Sequence, residues 1–125
     1  MKVAVFGTGT VGDTIGSKLI ELGHTVMMGS RTRGNEKAKH FVAWCGIMVN
    51  PAMINGGDHN VFVCGNDTSA KEEVTNILTS FGWKDKNILD LGDITKARGT
   101  EMYLPLWLSI YGATSNGAFN IKLVS

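Results

Sequence analysis

The sequence predicts an α/β fold with a doubly wound, mostly parallel sheet, and three observations carry that expectation. Short apolar runs of strand length alternate with stretches in which apolar residues recur every three or four positions. The 16 glycines fall between these runs and do not gather into a linker. Alternation of strand and helix places parallel strands side by side with helices on their faces. At 125 residues the chain suits a single domain, 1–125, and leaves little room for a two-domain enzyme.

The elements follow in order. Val3 to Phe6 is a continuous apolar run too short for a helix, of the kind a strand buried on both faces shows. Val11, Ile15, Leu19 and Leu22 then form one stripe on a helix that Gly23 closes as a left-handed cap. Thr25 to Met28 reads as the second strand, and Asn35 as the N-cap of a second helix with Ala38, Phe41 and Val42 on its apolar side. Residues 1–44 thus read as a βαβα half. From Cys45 to Asn60, Pro51 and the Asn55-Gly56-Gly57-Asp58 cluster predict an irregular junction, 45–60.

A second βαβα half occupies 61–125. Val61 to Cys64 is a buried-type strand, and Ser69 with Glu72 has capping-box spacing. Ala70, Val74, Ile77, Leu78 and Phe81 give a helical stripe, and Ile88 to Leu91 a fourth strand. The segment Lys96 to Tyr111 predicts a helix kinked or started by Pro105 and apolar nearly all round, which requires burial. Phe119 to Val124 predicts an edge strand with Ile121 and Leu123 inward and Lys122 outward.

Composition narrows the function. Twelve Lys and Arg against 11 Asp and Glu leave a net charge of +1, which offers no basic surface for nucleic acid. No apolar stretch is long enough to span a membrane, and Gly7 interrupts the opening apolar run before a signal peptide's core would be complete. Cys45 and Cys64 form no Cys-x-x-Cys and have no histidine at ligand spacing, so neither a disulfide framework nor a metal site is expected, and a reducing cytoplasm is the expected location.

The motif that carries chemistry is Gly7-Thr8-Gly9-Thr10-Val11-Gly12, set between the first strand and first helix. Gly7 permits the tight turn, Gly9 lets backbone approach a pyrophosphate, and Gly12 lets helix and strand pack closely, as in the Rossmann dinucleotide-binding unit. The helix start adds free N–H groups and the positive end of its dipole. After the second strand no carboxylate stands ready for ribose hydroxyls; Gly29-Ser30-Arg31 is there instead. Arg31 offers a planar fork to a 2′-phosphate, Ser30 a donor, and Arg33 and Lys37 further positive charge, so NADP(H) is favoured over NAD(H). For Arg33 and Lys37 a solvated surface role is an equal alternative.

No catalytic acid, base or nucleophile is legible. His24, His40 and His59 have no nucleophile at recognisable spacing and read as surface or capping residues, and Asp67 and Asp93 as helix caps. That poverty argues against a hydrolase and is neutral toward hydride transfer, in which the cofactor carries the chemistry.

Lys2 to Gly12, Leu22 to Arg31 and Asn35 to Ala38 resemble the opening of the NADP-dependent reductases of a deazaflavin coenzyme and their dinucleotide-binding relatives. The resemblance implies that Thr8, Ser30, Arg31 and Lys37 lie near the NADP phosphates. Val61 to Asp67, Leu89 to Gly92, Arg98 to Leu108 and Asn120 to Val124 are similar to the family's C-terminal part. Further βα units that members carry between the regions resembling Ala43 and Met48 are missing, so the chain reads as an internally shortened Rossmann-like domain with Trp44 to Ile47 at the join. Lost strands leave unpaired edges, from which a homodimer is expected. Two functions follow: an NADP(H)-dependent oxidoreductase passing hydride between nicotinamide and a flavin-like or other small acceptor, or a non-catalytic dinucleotide-binding module that has lost its acceptor pocket. An α/β domain binding another nucleotide, or nothing, is a third.

Overall fold

The structure is a computed structural model that describes residues 1–7, 9–29 and 42–124. Its strands are β1 (Lys2–Phe6), β2 (Thr25–Gly29), β3 (Val61–Val63) and β4 (Ile88–Asp90). The helices are α1 (Thr10–Glu21), α2 (Val42–Val49), α3 (Thr68–Ser80), α4 (Ala97–Glu101) and α5 (Tyr103–Thr114). β1 pairs with β2 in parallel from Lys2 opposite Thr25 to Phe6 opposite Gly29. β3 pairs with β4 in parallel from Val61 opposite Ile88 to Val63 opposite Asp90. Among the described residues no ladder joins the two pairs, so the parallel sheet is divided in two.

What joins the halves is a shared core. Leu19 of α1, Val49 of α2, Val63 of β3, Leu78 of α3, and Phe81 and Trp83 just beyond α3 are buried together, with Val3, Ile15 and Val26 packed against them. Each helix ends where the chain can turn away. Beyond α1, Gly23 sits at φ +83°, its N–H donates to the Ile20 carbonyl, and the His24 N–H reaches back to Leu19. Gly82 at φ +103° closes α3 the same way, with Trp83 N–H donating to Leu78. Both are six-residue Schellman closures that need left-handed backbone at the glycine.

Several expectations are corrected. β1 is buried on one face only, because Val3 and Val5 turn inward while Ala4 and Phe6 face out. α2 runs unbroken through Cys45 to Val49, so the irregular junction begins only at Asn50; Pro51 is the residue that stops the helix. Asn35, Ala38 and Phe41 lie outside the described residues. The N-cap of α3 is Asp67, whose carboxylate accepts the Ala70 N–H at 3.0 Å, rather than Ser69. Pro105 falls in the first turn of α5, where its missing N–H costs nothing. α5 buries only Trp107 and leaves Leu104, Leu106 and Leu108 exposed, contrary to the expected full burial.

The C-terminal segment forms no strand. It is held instead by Asn60, through backbone and side chain: Asn60 N–H donates to the Ile121 carbonyl at 2.8 Å, Leu123 N–H donates to Asn60 Oδ1 at 2.8 Å, and Asn120 Nδ2 donates to the Asn60 carbonyl at 3.0 Å. His59, expected at the surface, is 2% exposed. Its Nε2 lies 2.8 Å from the Pro51 carbonyl and its Nδ1 2.7 Å from Asn120 Nδ2. An amide Nδ2 donates and a carbonyl accepts, so the tautomer with its proton on Nε2 satisfies both contacts. Buried polar groups here are paired, which is what their burial requires.

Three carboxylates tie loops together and are held below the usual range. Asp58 is lowered chiefly by its hydrogen bond from Lys122, Asp90 by that from Lys71 at 2.7 Å, and Asp93 by that from Thr95. A carboxylate lowered in the folded state stabilises above its unfolded value, about 3.9, and the gain is lost as pH falls through the lowered value. Asp90→Asn is therefore expected to lower the thermal midpoint at pH 7, with the difference from wild type shrinking once pH drops below about 4. In the core, Leu19→Ala is expected to cost about 2–5 kcal/mol in a urea titration.

Candidate functional site

The geometry of the glycine turn follows from where side chains could not go. Gly7 leaves β1 at φ +117°, a conformation L residues rarely adopt. Gly9 precedes α1 with extended backbone, and no side chain caps the helix start. The first intrahelical bond runs from Asp13 N–H to the Gly9 carbonyl at 3.0 Å, so the amides of Thr10, Val11 and Gly12 precede it. A Cβ on Gly12 would stand 1.9 Å from the Gly7 carbonyl oxygen and 3.2 Å from Val5 Cγ1. One on Gly9 would meet nothing within 4 Å.

The two glycines therefore do different work. Gly12 is required by the protein itself, because the helix start is pressed onto the end of β1. Among the described residues nothing crowds Gly9; the open space beside it, at an uncapped helix start, fits a pyrophosphate. Gly7, Gly9, Thr10, Val11 and Gly12 lie together between the end of β1 and the first turn of α1. Thr8, Ser30, Arg31, Arg33 and Lys37 lie outside the described residues, although β2 ends at Gly29, directly before Ser30.

A second feature was not legible in the sequence. A cavity of about 760 Å³ is walled by Ile47 and Met48 of α2, Val61 and Phe62 of β3, Trp83 and Leu91. Its polar groups come from Asn60, Thr95, Lys96, Thr100, Glu101 and Asn120. These residues come from separate segments that no motif connects, so only the folded chain assembles them. Tyr103 also lines it, and burial pushes its hydroxyl above the usual phenol value, so it stays protonated at neutral pH and can donate a hydrogen bond. None of the lining residues belongs to the glycine turn.

The remaining candidates have structural roles. Asp67 caps α3, and Asp93 accepts the Thr95 N–H at 2.9 Å at the turn before α4. His24 lies 3.3 Å from the N-terminal amine, and His40 is outside the described residues.

The chain is similar to known proteins over most of its length. The family described as NADP oxidoreductase, coenzyme F420-dependent, matches residues 2–91. The chain belongs to this family. A crystal structure of a candidate F420-dependent NADP-reductase from Arthrobacter sp. FB24 is 27% identical and superimposes with a TM-score of 0.86, the match covering 100% of each chain. No curated protein matches. Family and structural neighbour together show a Rossmann-like α/β fold and indicate an NADP oxidoreductase-like function.

The contrast between the two glycines is testable. Gly9→Val is expected to leave the unfolding free energy within about 0.5 kcal/mol of wild type, since a Cβ there meets none of the described residues within 4 Å, while abolishing dinucleotide binding by calorimetry. Gly12→Ala is expected to cost about 1–3 kcal/mol or more in stability, because the clash is with backbone.

Proposed function

We propose that this chain binds NADP(H) with the pyrophosphate at Gly7 to Gly12 and the 2′-phosphate at Ser30 and Arg31, and passes hydride between the nicotinamide and a flavin-like or other small acceptor. The observation that carries this reading is the glycine turn, in which Gly12 is filled against Gly7 while Gly9 stands open before the helix start. NADPH, when bound, supplies the hydride; the chain supplies position and environment. The α1 amides hold phosphate oxygens, and the Arg31 guanidinium, aided by Arg33 and Lys37, separates NADP(H) from NAD(H) by charge. The cavity faced by Phe62 and Trp83 is the acceptor site of this reading, its walls mainly apolar, with the Tyr103 hydroxyl as a donor to the acceptor.

A non-catalytic dinucleotide-binding module is the second reading, favoured by the absence of any glycine-turn residue from the cavity lining. No described helix is long and apolar enough to cross a membrane, and a cytoplasmic location belongs to the same proposal. So does a homodimer, since two short separate ladders leave strand edges and faces uncovered.

Titration calorimetry with NADPH and NADH at one salt concentration tests the cofactor. NADPH is expected to bind at least about 10-fold tighter, roughly 1.4 kcal/mol, and Arg31→Ala to erase the difference. Equal binding would remove the phosphate role of Arg31. Oxidation of NADPH on adding a deazaflavin or flavin acceptor separates the enzyme from the silent module: turnover supports the first, and tight binding without turnover the second.

A further inference from the structure

The polar groups that line the cavity are not equally available to a ligand. Asn60 is spent on the fold: its Oδ1 accepts the Leu123 N–H at 2.8 Å and its Nδ2 donates to the Asn87 carbonyl at 3.4 Å. The Thr95 hydroxyl donates to the Asp93 carboxylate, and that of Thr100 to the Ala97 carbonyl at 2.8 Å. Lys96 and Glu101 are exposed and opposite in charge. Two neutral groups remain: among the described residues, Asn120 Oδ1 meets no donor and the Tyr103 hydroxyl meets no partner, and both residues line the cavity.

Asn120 is held in one orientation. Its Nδ2 lies 2.7 Å from His59 Nδ1 and 3.0 Å from the Asn60 carbonyl, one hydrogen for each. A carbonyl only accepts, so the nitrogen of Asn120, and not its oxygen, stands on that side. His59 is 2% exposed and anchored in turn through Nε2 to the Pro51 carbonyl at 2.8 Å. An amide clamped through both hydrogens has one acceptor left to offer. Tyr103 offers the opposite, a hydroxyl that burial keeps protonated at neutral pH. The aromatic walls Phe62 and Trp83 suit a flat ring.

We infer that Asn120 is the specificity residue of this cavity, accepting an N–H of the ligand while the Tyr103 hydroxyl donates to a carbonyl of the same ring, so that the ligand is a flat heterocycle with a lactam or imide edge. His59 is the positioning residue that holds Asn120. A quinone brings carbonyl acceptors alone and leaves Asn120 Oδ1 without a donor, a loss that a site built to receive an N–H penalises. The inference rests on the acceptor-site reading above and narrows it from small acceptors in general to those that carry an N–H.

Calorimetry of the full chain with deazariboflavin, and with its derivative methylated at the imide nitrogen, tests this on the unaltered protein, with and without saturating NADP⁺. Both partners are oxidised, so binding alone is read. Deazariboflavin is expected to bind at least about 10-fold tighter than the methylated form, and menadione, a quinone, to bind no better than that form. Asn120→Ala is expected to remove the preference by weakening deazariboflavin while leaving the methylated form within about 3-fold of wild type, which reports that the cavity has survived. Tyr103→Phe is expected to weaken both ligands alike and keep the preference, a check that stands whether or not Asn120→Ala folds. Equal binding of the two ligands by wild type, tight binding of menadione, a preference that survives Asn120→Ala, or a loss in that variant shared by both ligands would overturn the role of Asn120 and leave the acceptor site standing. Binding of neither ligand, with or without NADP⁺, would overturn the acceptor site as well. Titration with NADPH on the same samples reports on the glycine turn separately.

Discussion

The hydrogen bond from the Trp83 indole to the Met48 carbonyl, 2.8 Å long, spans a break that no strand crosses. Met48 lies in the last turn of α2, where carbonyls have no partner within the helix. Trp83 follows the glycine closure of α3 and is buried in the shared core, with His59 edge-on at 4.8 Å. One side chain therefore satisfies the end of a helix from the first half, fills the core between the halves, and packs on the histidine that fastens the junction. Among the described residues the two parallel pairs share no ladder, so their relation rests on this core.

Much of the fold is legible in the sequence because its signals are local. The α1 stripe, Gly23 as its terminator, and the placement of all four strands follow from apolar spacing and from glycine's access to left-handed backbone. What was not legible depends on distant partners. Phe119 to Val124 has strand periodicity, yet Asn60 meets it with one backbone bond to Ile121 and one side-chain bond from Leu123, so no ladder forms. His59 looks like a loop histidine until Pro51 and Asn120 are seen to bracket it. The burial of β1 was misjudged because an apolar run does not say whether both faces have something to pack on.

The site divides along the same line. A glycine turn is a sequence-local device, since its function is written in backbone conformation over six residues, and Gly7, Gly9 and Gly12 can be assigned separate duties from it. The cavity beside Phe62 has no such signature. Its walls come from α2, β3, the chain after α3 and the start of α5, and its polar groups come from Asn60, the Thr95-Lys96 turn, the end of α4 and Asn120. A pocket of this kind is a product of packing, which is why the residues of a hydride acceptor site are harder to read than those of a phosphate site.

The division of the sheet also bears on why this chain exposes so much apolar surface. A ladder of two strands has no interior strand, so each pair needs cover on both faces to behave as part of an α/β layer structure. α1 covers the inner face of β1–β2 through Ile15 and Leu19, and α3 covers that of β3–β4 through Ile77 and Leu78. On the far side the supply runs out: one helix, α5, is anchored by Trp107 near the C-terminal segment, while Phe6 and Met27 have no described neighbour over them. A chain of this composition, 43% hydrophobic and only 18% charged, has little charged surface with which to keep such faces in water. Among the described residues α1 and α3 therefore build the core across the two ladders, and the remaining exposed apolar residues lie on the outer sides of β1–β2 and α5.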